Sequence, residues 1–185
     1  MQGVKLSLFA TPLWKFKIDN SKFLNKKILV DSLDLLENNW DFLNLPGEGI
    51  HELKNLIYDA IYQIFEENNW TNQKFEIRSR LNNIKPNGYD TPHHHDIADI
   101  VGIYYVQTSD NCGDLQLLDS RGTVNAIWQD NLTKTDGDFR SSRSFIKINP
   151  ETGLLLIFPS YLIHAVEPNF SNNNRISVVF EIKFT

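Results

Sequence analysis

The sequence predicts a mainly β protein, a jelly roll of short antiparallel strands with helices packed on one side. Two observations carry this. Apolar residues recur with a helical period up to about Trp70, and from Phe75 onward the period drops to two. Beyond that switch, short apolar runs follow one another closely, separated by Gly, Pro, Asn and Asp clusters. The 185 residues suit one domain. We expect it to divide into N-terminal strands and helices over 1–70 and a jelly-roll core over 71–185.

Taken in order, residues 4–18 read as short strands broken at Thr11-Pro12. A helix is expected from Ser21, a plausible N-cap, to about Asn38, and "LPGEG" then forms a turn. Leu53, Leu56, Ile57, Ala60, Ile61, Ile64 and Phe65 share one face of a second helix. Phe75, Ile77, Ser79 and Leu81 alternate with Glu76, Arg78, Arg80 and Asn82, the pattern of a half-buried strand. Further strands are expected at about 97–107, 114–119, 123–129, 144–148, 153–158, 161–166 and 175–184. Residues 130–143 are polar and long enough to form a loop over one end.

Composition narrows the function. With 41% hydrophobic residues, 22% charged residues and a net charge of -5, the chain lacks the basic surface that nucleic acid or anionic membrane would select. No stretch approaches the roughly 20 apolar residues of a membrane span. The opening "MQGVKLSLFATPLWKFKI" carries charges and a Pro inside its apolar part, unlike a signal peptide. A single cysteine, Cys112, excludes a disulfide framework and favours a reducing, cytoplasmic setting. Cys112 has no basic neighbour to activate it and is read as inert.

The chemistry gathers at "TPHHHD". In an extended chain His93 and His95 project to one side while His94 and Asp96 project to the other. Either pair offers two metal ligands, so a third must come from elsewhere. His51 opens the second helix, where a polar residue needs no functional explanation. His164 lies instead in "LLLIFPSYLIHAVEP", a segment apolar enough to be core. Eleven residues later comes "RISVVFEIKF", with Arg175 and Ser177 on one strand face and Ile176, Val178 and Phe180 on the other. A planar guanidinium beside a hydroxyl is a carboxylate clamp. Each piece is weak alone. Together they describe a facial triad with open positions, the arrangement of non-haem Fe(II) oxygenases, and a clamp for a chelating 2-oxoacid.

Three stretches carry a family resemblance: "LFATPLW" at 8–14, "YDTPHHHDIADIVGIYYV" at 89–106, and "GLLLIFPSYLIHAVEPN" continuing to "NRISVVF" at 153–180. In these the chain resembles the 2-oxoglutarate/Fe(II)-dependent oxygenases common in marine bacteria and cyanophages, a branch near the prolyl-hydroxylase-like dioxygenases. The resemblance implies a double-stranded β-helix core, the cupin-like form of the jelly roll. It implies Fe(II) on His93, His95 and His164, and 2-oxoglutarate with its C5 carboxylate on Arg175 and Ser177. Tyr105 falls where related enzymes often place a co-substrate contact, and Asn83 is a weaker candidate. There are departures. Asp96 stands where the family usually has Pro, and an H-x-H replaces the usual H-x-D, which His94 and Asp96 would supply in a shifted register. Spacing to "GIYYV" favours His93 and His95; the charge a carboxylate would contribute favours the alternative.

The implied activity is oxidative decarboxylation of 2-oxoglutarate coupled to hydroxylation of a substrate the sequence does not identify, with ascorbate as an accompanying reductant. The location would be the cytoplasm, the host's if the chain is phage-encoded, and a homodimer is compatible with the sequence. Ile103, Leu155, Ile157 and Val179 are the expected apolar lining. A cupin-like metalloenzyme that does not use 2-oxoglutarate would explain the histidines but leave Arg175 and Ser177 idle. A non-enzymatic jelly-roll binding or structural module would bind no metal tightly.

Overall fold

The computed structural model describes residues 10–32, 40–70, 73–119 and 145–185. The expected strand at 123–129, the loop at 130–143, the start of the first strand pair and the tail of the first helix lie outside them. The described chain runs β1 (Trp14–Lys17), α1 (Ser21–Asp31), a 3-10 turn (Phe42–Asn44), α2 (Glu48–Glu67), β2 (Phe75–Ile84), β3 (Asp90–His93), β4 (Ile100–Gln107), β5 (Leu115–Leu118), β6 (Phe145–Ile148), β7 (Leu154–Pro159), β8 (His164–Val166) and β9 (Arg175–Phe184).

The strands form two sheets. The larger has the order β1-β7-β4-β9-β2 and the smaller β3-β8-β5-β6, and all the pairings between these strands are antiparallel. The architecture is the expected double-stranded β-helix with helices on one side. Strand alternation explains the layering. On β4, Ile100, Tyr104 and Val106 turn toward α1 and α2, joined by Leu155 and Ile157 of β7 and Val178, Phe180 and Ile182 of β9. Val101, Ile103 and Tyr105 turn the other way and meet Leu115, Leu117 and Val166 of the smaller sheet. The larger sheet is therefore buried on both faces, which is why β4 and β7 read as continuous apolar runs.

The helices form the backing layer. Ile50, Leu53, Ile57, Ile61 and Ile64 of α2 are buried at 0–1% exposure, each burial stabilising the layer by about 1.5–3 kcal/mol. Ser21 is the first residue of α1 rather than its cap; Asn20 precedes it in the left-handed conformation, φ 54°, without a side-chain capping bond. The start of α2 is capped from the other helix: Asp31 Oδ2 accepts the N–H groups of Gly49 at 2.8 Å and Ile50 at 3.2 Å. On the same side of the sheet the Phe180 ring sits over Gly102, where a Cβ would stand 2.0 Å from the ring.

Candidate metal and co-substrate site

β3 was not expected as a strand, and it is what assembles the site. It pairs with β8 so that His93 faces His164 directly across the ladder, with an irregularity between Asp90 and His93. Such bulges re-aim side chains next to active sites. The chain then leaves the sheet, and the His95 N–H donates to the Ser160 carbonyl at 3.1 Å. Ring centroids lie 4.4 Å apart for His93 and His164 and 5.2 Å apart for each of the other two pairs. One ring nitrogen from each residue comes within 4.8 Å of those of the other two. Small side-chain rotations bring such a set onto one ion, where neighbouring nitrogens held at about 2.1 Å stand roughly 3 Å apart.

Hydrogen bonds on the far side of each ring decide which nitrogen is offered. His93 Nδ1–H donates to the Thr91 carbonyl at 2.7 Å, and His164 Nδ1–H to the Leu162 carbonyl at 2.9 Å. His95 Nδ1–H donates to Glu181 Oε1 at 2.5 Å. All three Nε2 atoms are thereby left as lone pairs. His95 Nε2 is buried with no hydrogen-bond partner among the described residues. Burial lowers the His95 pKa despite the nearby carboxylate, and it pushes His164 down to about 4. Both rings are neutral near pH 7, the form that binds metal. The donor set fits a divalent transition metal.

His94 and Asp96 take no part in this cluster. They are exposed, and His94 Nε2 lies 2.5 Å from Asp96 Oδ1. The shifted register is thus set aside on geometry: β3 ends at His93, and the two residues turn toward solvent. His51 is exposed on α2, its Nδ1 3.4 Å from Asn55 Nδ2. Cys112 is buried and carries a free thiol.

Arg175 and Ser177 occupy the same sheet face as Val179 and Glu181, turned toward the smaller sheet. Arg175 is 1% exposed, yet its Nε and the Ser177 Oγ have no hydrogen-bond partner among the described residues. The guanidinium lies 4.9 Å from the centroid of the Tyr105 ring, with a long 3.4 Å contact from Nη2 to the Tyr105 hydroxyl. Burial raises the Tyr105 pKa, so the phenol keeps its proton. A buried cation beside unsatisfied polar atoms is costly unless an anion joins it. The arrangement fits a carboxylate.

Two expectations need correction, both for strand phase. Asn83 pairs with Ile176 and shares its helix-facing side; Asn82 is the residue opposite Ser177, and its side chain donates to Asp90 Oδ2 at 3.1 Å. Leu155 and Ile157 also pack against the helices, whereas Leu156 and Phe158 join Ile103 and Val179 on the site side. Phe158 meets His164 edge-on at 5.1 Å. Sequence reasoning missed Glu181, a charged residue on the inward face of an apolar strand. Counting by two from Arg175 would have found it.

The fold and this cluster define a double-stranded β-helix protein with three histidines that could hold a metal ion and a buried arginine whose Nε has no partner among the described residues. A family model described as "Putative 2OG-Fe(II) oxygenase" matches residues 78–181, more than half the chain. The chain belongs to the 2OG-Fe(II) oxygenase family: it is a 2-oxoglutarate- and Fe(II)-dependent oxygenase. No curated protein matches it in sequence. Among solved structures it resembles HygX from Streptomyces hygroscopicus, with nickel and 2-oxoglutarate bound (TM-score 0.63, 10% identity, 94% of this chain and 83% of that one). It also resembles a Pseudomonas putida prolyl-4-hydroxylase (TM-score 0.59, 12% identity, 95% and 87%) and AviO1 from Streptomyces viridochromogenes Tue57 (0.60, 10%, 94% and 90%). At these identities the likeness concerns the fold. No described helix is long and apolar enough to cross a membrane.

Proposed function

We propose that this chain hydroxylates an organic substrate, with Fe(II) held by Nε2 of His93, His95 and His164 and the far carboxylate of 2-oxoglutarate received by Arg175, Ser177 and Tyr105. One observation carries the reading: a buried guanidinium with an unpartnered Nε lies on the same face of β9 as Glu181, which is hydrogen-bonded to one of three converging imidazoles. When bound, Fe(II) and 2-oxoglutarate would supply the electrons that activate dioxygen, the oxidant, with 2-oxoglutarate oxidised to succinate and carbon dioxide. The protein's share is binding, orientation and dryness. Arg175 and Ser177 fix the co-substrate's far end by charge and an O–H donor. Val101, Ile103, Leu156, Phe158 and Val179 exclude water from the reacting end.

Within a single domain α1 and α2 serve as the backing, since they cover the sheet face opposite the site. The co-substrate is a small molecule. HygX, with nickel and 2-oxoglutarate on the same fold, supports the co-substrate assignment. The test is anaerobic reconstitution with Fe(II) and 2-oxoglutarate. The expected result is a visible metal-to-ligand charge-transfer band in the wild type that His164→Ala abolishes. Iron binding without a band would refute the co-substrate; no iron binding would refute the metal site.

A further inference from the structure

Among the described residues, Glu181 is the one carboxylate hydrogen-bonded to the histidine cluster. It is 3% exposed and lies on the site face of β9, held between β2 and β4 opposite Arg78 and Val101. Its two oxygens have different partners: Oε2 accepts from Arg78 Nε, and Oε1 accepts from His95 Nδ1–H. Trp40 stacks over the Arg78 guanidinium at 4.6 Å, so the line Trp40–Arg78–Glu181–His95 runs from the surface to the cluster. His93 and His164 give their Nδ1–H groups to neutral backbone carbonyls. Among the described residues, only His95 of the three gives its Nδ1–H to a charged group.

We propose that Glu181 is a positioning residue that brings a carboxylate to the metal centre through His95, in place of the carboxylate ligand its H-x-H motif lacks. This rests on the reading of the three imidazoles as metal ligands. Three neutral imidazoles leave a dication's charge uncompensated, whereas a carboxylate behind one of them lowers the net charge and raises that ring's basicity. It also fixes the tautomer, since only an Nδ1–H can reach Oε1 while Nε2 faces the cluster. An ion pair of purely structural purpose would be complete with Arg78 alone. Here the second oxygen is spent on the one imidazole whose Nε2 is buried without a partner among the described residues.

The test uses Co(II) as a probe on the full chain under anaerobic conditions, with wild type, Glu181→Gln and His164→Ala compared. Affinity is read by calorimetry, and ligand identity by the exchangeable, paramagnetically shifted Nδ1–H proton resonances. Wild type should show one such resonance per imidazole, and His164→Ala should lose binding. Glu181→Gln should bind roughly 10- to 100-fold more weakly and displace one resonance while the others hold. Glu181→Gln binding as tightly as wild type with unmoved resonances would overturn the proposal. So would weaker binding with all resonances shifted alike and a lowered melting temperature of the metal-free protein, the mark of a structural role. Wild type failing to bind Co(II) would instead sink the metal reading, and this inference with it.

Discussion

Replacing Arg175 by Met separates a binding arginine from a structural one, because the two roles predict opposite effects on the metal-free protein. Arg175 is 1% exposed, and among the described residues it meets the Tyr105 ring at 4.9 Å and makes a long contact to the Tyr105 hydroxyl. Burying such a cation costs several kcal/mol, so an isosteric apolar residue should leave the metal-free fold as stable or more stable by about 1–4 kcal/mol. Co-substrate binding should move the other way. Losing a buried charged contact costs about 2–5 kcal/mol, a factor of about 30 or more in dissociation constant. Calorimetry with 2-oxoglutarate on the Ni(II)-loaded protein reads the second effect, and urea melts of the metal-free protein read the first. Thermal shift offers a check. At a hundredfold excess over Kd the co-substrate should stabilise wild type by about 2.7 kcal/mol, roughly 5–10 °C at this size, and Arg175→Met should lose most of that shift. A variant that binds 2-oxoglutarate normally but melts several degrees early would refute the reasoning and make Arg175 a structural residue.

Further outcomes follow from the same geometry. His94→Ala and Asp96→Ala should each bind Fe(II) like wild type, since both side chains are exposed and paired with each other; loss of iron in titrations of Asp96→Ala would restore the shifted register. Gly102→Ala places a Cβ 2.0 Å from the buried Phe180 ring and should cost about 1–3 kcal/mol in urea melts, with metal affinity little changed. Asp31→Ala removes the cap that α1 lends to α2 and should cost about 1 kcal/mol by the same assay. The metal-free protein should lose stability as pH falls from 6.5 toward 4, because the unfolded chain protonates His164 at its ordinary pKa while the folded one resists until about 4. Unfolding then takes up a proton, so the loss is on the order of 3 kcal/mol, fully regained above pH 6.5. Melts of wild type and His164→Asn between pH 7.5 and 4.5 check it; equal pH dependence in the two would refute it.

Strong periodicity was legible and strand phase was not. The helical face of α2 and the two-residue period of β2 and β9 read directly from residue order, because each has one apolar side. β4 and β7 are apolar on both sides, so "LLLIF" carries no phase, and residue order alone does not tell Leu155 from Leu156 as the lining residue. β3 escaped notice because "DTPH" has no apolar pattern and is held by pairing with β8. The histidines were legible as a set because a polar residue inside "YLIHAV" must answer to something. Their hydrogen-bonding surroundings were not, since Thr91 O, Leu162 O and Glu181 are partners that only folding selects.

β9 shows why phase matters most here. Its inward face strings Arg175, Ser177, Val179 and Glu181 along about 20 Å, at roughly 3.4 Å per residue. The proposed clamp, Arg175 and Ser177, sits at one end, an apolar wall in the middle, and the carboxylate behind His95 at the other. Its outward face holds Val178, Phe180 and Ile182 against the helices. A one-residue slip would push the clamp and Glu181 into that apolar layer and turn three core side chains into the pocket. The ten-residue ladder with β2 and the Phe180 ring seated over Gly102 both resist such a slip. The packing that stabilises the helix side therefore sets the spacing between the candidate metal centre and its co-substrate clamp.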